Sequence, residues 1–226
     1  MKRAIQMMCV VVVSVGLSST VTARTVTYGG TSISMDFVDI GNAGNGPDST
    51  TIGSVAYTYR IGKYEVSKNQ WDLVVAASAI DLLDDPGQWS DDQPVANISW
   101  YDAAMFCNWL TSGDVTDGAY TINGSGEVTA IDRDFAVNTH GTVYVIPTED
   151  EWYKAAYHKN DGKTGNYHAY PSDNIISPDG IDFAGDTQFD FVFKDPYQQG
   201  IPNAVNNAGD LSPYDTMGQG GNIWEW

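Results

Sequence analysis

The chain has 226 residues, of which 29 are acidic and 11 are basic, so its formal net charge at pH 7 is −18. A hydrophobic fraction of 42% and an aromatic fraction of 12% exclude disorder for the bulk of the chain and suffice for a buried core. The negative charge argues against proteins that bind nucleic acids or anionic membranes, because both need basic surfaces. An acidic excess is typical of an exported, soluble protein and is compatible with divalent cations.

The N-terminus has the pattern of a secretory signal peptide. Two basic residues precede an apolar run over residues 4–17, and small side chains follow at Val21-Thr22-Ala23. The run is shorter than a transmembrane helix requires, and no second apolar run follows. We therefore predict a signal peptide over residues 1–23 and a mature domain over 24–226 that has no membrane span and is secreted or held at the cell surface. The alternative is a buried N-terminal core helix.

Two strands and a loop are predicted at the start of the mature chain. Residues 32–40 alternate between apolar and polar side chains, which is typical of a half-buried strand. Residues 41–54 contain Gly, Asn, Pro and Asp and predict a loop. Residues 57–66 predict a second strand or the arm of a hairpin.

Three predicted helix starts have the same kind of N-cap, a residue with a hydroxyl side chain. At Ser67, Ser99 and Thr148, a hydroxyl side chain can accept from a backbone N–H three residues further on, as in a capping box. The second and third of these predict helices over residues 99–111 and 148–158.

The second helix places its apolar residues, including a cysteine, on one stripe that should face the core. Those residues are Trp100, Ala103, Ala104, Cys107 and Leu110. Because Cys9 would leave with the signal peptide, Cys107 is the one cysteine of the mature chain. A single thiol in an exported protein indicates either a partner outside these residues or a buried cysteine that acts as a small apolar side chain.

The part of the chain after the third helix is rich in Gly, Asn, Asp, Pro and aromatic residues. Residues 160–219 show no helix or strand period, and a loop of this length is usually functional or tied to a ligand. Within it, residues 179–195 carry five aspartates among Gly and aromatic residues. Oxygen ligands of this kind suit calcium, and the alternative is a solvated acidic loop. The three histidines lack the spacing of a metal site.

Four segments, in order along the chain, match a known family. They are Ile61-Gly62-Lys63-Tyr64-Glu65-Val66-Ser67; Pro94-Val95-Ala96-Asn97-Ile98-Ser99-Trp100-Tyr101-Asp102-Ala103, continued by Cys107-Asn108-Trp109-Leu110; Ile146-Pro147-Thr148-Glu149-Asp150-Glu151-Trp152-Tyr153-Lys154-Ala155-Ala156; and Gly221-Asn222-Ile223-Trp224-Glu225-Trp226. In sequence and order they resemble the motifs of the formylglycine-generating enzyme, or sulfatase-modifying factor, family. The resemblance is to the branch found in exported bacterial proteins and runs from about Ser32 to the last residue.

The resemblance implies an α+β domain, the sulfatase-modifying-factor variant of the C-type lectin fold, loop-rich with a few short helices and strands. Family members oxidise a substrate cysteine to formylglycine with O₂ at a Cu(I) ion held by two cysteines that follow the last motif. This sequence ends on that motif at Trp226, so the resemblance implies an incomplete domain without catalytic residues, in which no copper is expected. Cys107 matches a helix cysteine that in some members pairs with a cysteine of the absent part.

The resemblance also implies calcium sites. One family site uses the Asn of the last motif, neighbouring backbone carbonyls and an Asp or Asn four residues earlier, but position 218 is Gly here. The expected ligands of this site are Asn222, Gly220, Gly221 and, as a substitute, Asp215. A second site is expected in the acidic segment, at Asp182 and Asp195.

Three functions fit the sequence. The first is a secreted, non-catalytic member of this fold that binds a protein, a glycan or a surface component. The second is a fragment of a copper-dependent formylglycine-generating oxidase whose catalytic cysteines lie beyond Trp226. The third is a structural part of an extracellular matrix protein. Fold alone does not choose among them, because one scaffold hosts both binding and catalysis.

Overall fold

The structure is a computed structural model that describes residues 5–6, 10–12, 21–78, 89–172 and 202–225. Helices and strands are mixed along the chain, which confirms the α+β class. In chain order the elements are β1 (Ile5–Gln6), β2 (Val10–Val12), β3 (Thr22–Tyr28), β4 (Thr31–Ile40), β5 (Tyr59–Gly62), α1 (Lys68–Ser78), α2 (Trp100–Ser112), β6 (Tyr120–Ile122), β7 (Val128–Ile131), α3 (Arg133–His140), β8 (Val143–Val145), α4 (Glu149–Tyr157) and β9 (Trp224–Glu225).

The largest sheet has the strand order β3-β4-β5-β2-β8, and every neighbouring pair in it is antiparallel. Strands β3 and β4 form a hairpin whose two turn residues, Gly29 and Gly30, both have positive φ. Positive φ at both positions suits a tight hairpin turn, which glycine adopts without steric cost. Separate two-stranded sheets join β6 to β7 and β1 to β9.

Two strands come from the segment that the sequence predicts to be a signal peptide. Strand β2 lies between β5 and β8, and β1 pairs in parallel with β9. The described residues of this segment are therefore strands and not the core helix considered as the alternative. The predicted cleavage after Ala23 falls inside β3, at the outer edge of the sheet.

Each of the three predicted helix starts is a capping box. The Ser67 and Gln70 side chains exchange hydrogen bonds with each other's backbone N–H groups, and α2 and α4 begin in the same way after Ser99 and Thr148. These caps satisfy backbone N–H groups that have no partner inside the helix. Within the described part of the chain, no helix has both the length and the apolar character needed to cross a membrane.

Helix α2 lies across the core. The predicted stripe is confirmed: Ala103, Ala104, Cys107 and Leu110 are buried, and Trp100 packs against them while partly exposed. Phe106 stacks on Trp71 of α1 with 5.1 Å between ring centroids. The helix ends at Gly113, whose φ of 84° is left-handed and whose N–H donates to Trp109 O, as in a common glycine C-cap.

Sequence and structure agree on β4 and on the helices that begin with a predicted cap, and differ on several other elements. The strand predicted over residues 32–40 is β4, whereas only Tyr59–Gly62 of residues 57–66 forms a ladder. Strands β3, β6, β7 and β8 and helix α3 carried no prediction. Strands β6, β7 and β8 have three or four residues each, and a run of that length shows too little period. In the described parts of the predicted loop, residues 160–172 and 202–219, no helix or strand occurs.

Candidate functional site

The motif at residues 146–156 places helix α4 at the centre of a buried polar region. Thr148 and Glu151 close the capping box: Thr148 N–H donates to Glu151 Oε2 at 2.7 Å, and Glu151 N–H donates to Thr148 Oγ1 at 3.2 Å. The Glu151 side chain is fully buried. A carboxylate there needs partners, because an unpaired buried charge is strongly unfavourable.

Glu151 finds its partners on two other elements. Arg133 Nη1 at the start of α3 lies 2.9 and 3.1 Å from the two carboxylate oxygens, and Arg133 Nη2 donates to Ile146 O at 2.9 Å. Tyr57 OH donates to Glu151 Oε1 at 2.7 Å. Burial, together with this carboxylate, raises the pKa of Tyr57 to about 12. The cluster therefore joins α3, α4 and the loop before β5 by charge-assisted hydrogen bonds.

Lys154 is buried one turn further along α4. Its Nζ donates to Asn42 O at 3.2 Å and lies 5.9 Å from the centroid of the Tyr59 ring. No carboxylate forms an ion pair with it in the described part of the chain. Burial lowers the pKa of Lys154 to about 8, because the interior disfavours the charged ammonium.

His158 follows the same helix and is also buried. Asn160 N–H donates to His158 Nδ1 at 3.1 Å, so Nε2 carries the proton and donates to Thr164 O at 3.2 Å. Tyr214 OH lies 3.0 Å from Nδ1 and accepts from Asn42 Nδ2 at 3.0 Å. Burial, and secondarily the charge of Lys154, lowers the pKa of His158 and so favours the neutral ring. This network fastens three loops to α4.

Of the predicted calcium ligands, Asn222 lies in a hydrogen-bonded cluster that sequence reasoning missed. Its side chain accepts from Asn203 N–H at 2.8 Å, and its Nδ2 donates to Glu65 and to Asn203 O. Glu65 is buried. The Asn222 side chain is thus engaged within the protein, and a cation at this position would have to replace these hydrogen bonds.

Position 218, where the family pattern has an Asp or Asn, faces the same carboxylate. Gly218 has a φ of 86°, and a Cβ there would lie 3.1 Å from Glu65 Cγ and Cδ. An Asp at this position would bring a second carboxylate against Glu65. The close approach and the left-handed φ both favour glycine at position 218.

The structure does not bring the remaining predicted ligands into one site. Asp215 is exposed, has a φ of 68° and donates its N–H to Ser212 O at 2.8 Å. The hydrogen bonds of the Asn222 side chain go to Glu65 and Asn203 instead. Gly220 and Gly221 are half-buried beside Asn222 in the chain. Asp182 and Asp195 lie outside the described residues. Among described residues, no group of three His, Cys, Asp or Glu side chains is placed to hold a metal.

Cys107 is fully buried in α2, as the stripe predicts. Its backbone carbonyl accepts from Thr111 Oγ1 at 2.9 Å. Cu(I) needs at least two soft ligands, and the other cysteine of the sequence, Cys9, lies outside the described residues. Among the described residues, Cys107 is therefore the one thiol.

The comparisons with known proteins agree with these motifs. Residues 19–226 match the family model described as the sulfatase-modifying factor enzyme 1-like domain. A curated relative, "Chaperone protein LppX" of Paenibacillus barcinonensis, is 27% identical over 186 residues, which cover 74% of this chain and 61% of the relative. The chain thus spans about three fifths of that relative's length. No solved structure matches.

Proposed function

Since the chain belongs to the family of sulfatase-modifying factor enzyme 1-like domains, we propose that it is an exported member that binds a polypeptide ligand and that these 226 residues do not catalyse formylglycine formation. We also propose that the chain has the sulfatase-modifying-factor variant of the C-type lectin fold. The short capped helices and long loops of this α+β domain support that assignment. The observation that supports the proposal is that Cys107, the one cysteine among the described residues, is fully enclosed in the core.

Copper binding and oxidation of a substrate test the catalytic part. The chain, loaded anaerobically with Cu(I), is incubated with a cysteine-containing peptide and O₂, and the peptide mass is followed. We expect no formylglycine and no Cu(I) uptake that depends on a thiol, so that wild type and Cys107→Ser behave alike. Conversion of the peptide by the wild type would overturn the proposal.

The intact mass of the protein secreted by its native host tests export and addresses the alternative function. A mass of roughly 22 kDa, the chain less residues 1–23, supports an exported binding domain. A mass several kDa larger, with two cysteines in the extension, would instead favour the copper-dependent oxidase whose catalytic cysteines lie beyond Trp226.

A polypeptide ligand is favoured over a glycan by the name of the relative, which is called a chaperone. The test is suppression of light scattering by a thermally unfolding enzyme such as citrate synthase. Because a net charge of −18 could by itself reduce aggregation, an equally acidic inert protein is the control. We expect suppression near equimolar ratio by this chain alone. Equal suppression by the control would contradict a specific polypeptide interaction.

A further inference from the structure

The position of β2 is unusual for a segment predicted to be removed. Strand β2 separates β5 from β8 and pairs with both, with Val11 opposite Arg60 on one side and Tyr144 on the other. Strand β5 has a second neighbour in β4, but within the described part of the chain β8 pairs with β2 alone. Among the described strands, β8 therefore joins the sheet only through the N-terminal segment.

Strand β8 directs the backbone N–H and C=O groups of alternate residues toward the place that β2 occupies. Tyr144 N–H donates to Thr111 Oγ1 at 3.0 Å, so Tyr144 directs its hydrogen-bonding groups away from β2. Because these directions alternate along an antiparallel strand, Val143 and Val145 direct theirs toward β2. By the same alternation, the backbone N–H and C=O of Val11 point toward Arg60 of β5. Strand β2 therefore satisfies backbone groups of both β5 and β8.

The surroundings of the position are apolar. Val143, Val145 and Ile61 are fully buried, and Tyr59 and Tyr144 are nearly so. Without β2, the distance between β5 and β8 equals two strand spacings, about 10 Å, which admits a single strand. Backbone groups left unpaired there would be costly, because buried N–H and C=O groups require partners.

We propose that the position between β5 and β8 is a strand-acceptor site, which in the exported chain binds an extended, apolar segment of a partner polypeptide. Residues 10–12 occupy it before processing. The partner strand runs antiparallel to both neighbours and is rich in β-branched residues, as a strand buried on both faces is. This proposal rests on the proposed function, since it requires both export and a polypeptide ligand.

The test uses the full chain, made in the cytosol with its N-terminus intact and verified by mass. Val11→Pro removes the N–H that faces Arg60 and expels the resident strand. Val21→Pro is the matched control, because Val21 is exposed and precedes β3. The probe is a fluorescent, lysine-flanked peptide that contains four consecutive valines. Binding is measured by anisotropy and located by amide hydrogen exchange.

We expect Val11→Pro to bind the peptide at least tenfold more tightly than either the wild type or Val21→Pro does. In those two chains the resident strand β2 still occupies the site. The peptide should slow exchange at the Val143 and Val145 amides. The exchange rate of the Tyr144 amide, which is hydrogen-bonded to Thr111 Oγ1, should change less and serves as the internal reference. Should Val11→Pro not fold, Val11→Gly replaces it, since glycine weakens a strand but keeps the N–H.

Two results would overturn the proposal: equal affinity of the three chains for the peptide, or binding without slower exchange at Val143 and Val145. Both readouts are independent of export and of formylglycine formation. A failure here therefore leaves the proposed function standing, and a failure of the proposed function leaves this result interpretable.

Discussion

At the scale of single residues, the motif around α4 consists of buried polar side chains whose partners are distant in sequence. Glu151 contacts Arg133, Lys154 contacts Asn42, and His158 contacts a tyrosine 56 residues further on. Each contact fastens a loop or helix to α4. The motif therefore indicates how this fold is held together, and its presence does not by itself indicate catalysis.

Replacing Glu151 by Gln preserves its shape but removes the charge that faces Arg133. We expect the free energy of unfolding to fall by about 2–3 kcal/mol, because the buried end of the guanidinium loses its counter-charge. Urea unfolding measures the change. Glu149→Gln is the control, since Glu149 is exposed in the same helical turn and should change stability by less than about 0.5 kcal/mol. Similar losses in the two variants would argue against the ion pair.

Lys154 predicts an unusual pH dependence of stability. Its pKa is about 8 in the folded chain and near its ordinary value of about 10.4 when unfolded, so the unfolded state binds more protons between these values. Stability should therefore rise with pH from about 8 to 9.5. Above about pH 10 the buried tyrosines, whose folded pKa values are raised, act in the opposite direction.

The matched variant is Lys154→Met, which has a similar shape and no charge. We expect its melting temperature to exceed that of the wild type by a few degrees at pH 7, since the desolvation penalty is gone. The difference should narrow as the pH rises to 9.5. A wild-type melting temperature that is flat over this interval, or a constant difference, would show that Lys154 is not the titrating group.

Sequence reasoning found some residues of these clusters and missed others for one physical reason. Cys107 was correctly placed in the core because helix periodicity is local. Glu65 was missed beside Asn222 because 157 residues separate them, and no periodic pattern links two such positions. Lys154 was missed because a lysine is usually exposed, and only the packed loops around α4 enclose it.

At the scale of elements, capping chemistry was predictable because it involves residues three positions apart. All three predicted helix starts occur at their expected residues. Strands β6, β7 and β8 have three or four residues each and depend on their neighbours for pairing. Their formation is decided by long-range contacts that a short sequence window does not contain.

The C-terminus of α2 offers a test at this scale. Gly113 has a left-handed φ of 84°, and a Cβ there would lie 2.6 Å from Cγ of the Tyr28 ring. Gly113→Ala should therefore lower the free energy of unfolding by about 1–2 kcal/mol through backbone strain and the clash with Tyr28. Gly124→Ala is the control, because nothing lies within 4 Å of a Cβ at position 124. Chemical denaturation of the two variants should separate them clearly.

At the scale of the whole molecule, one apolar run is compatible with two structures. An unbroken stretch such as Val10–Val12 suits the core of a signal peptide and equally a central strand. The sequence pattern favours the first, and the strand order shows the second. Both apply to one chain if the strand belongs to the unprocessed form, because removal of the segment changes which groups complete the sheet.

Calcium binding is the prediction that concerns the charge of the whole chain. Removing the two basic residues of the leader would take the net charge from −18 to −20, and a bound divalent cation would reduce the resulting repulsion. We expect calorimetry of the chelator-treated protein to show heat on addition of CaCl₂ and a higher melting temperature. NaCl of equal ionic strength should give a smaller shift, because screening alone is not site binding.

Two variants locate the site. Asn222→Gly removes the side-chain oxygen and introduces a residue that tolerates the φ of 57° at this position. Asp215→Asn removes one carboxylate and keeps the shape of the side chain. If calcium binds at the predicted ligands, both should weaken the calorimetric heat, Asn222→Gly more strongly. A heat that survives both substitutions would move calcium to the acidic segment that holds Asp182 and Asp195. The complete absence of calcium heat in the wild type would contradict the predicted calcium sites. Asn222 would then serve to hydrogen-bond Glu65 and not to bind a cation.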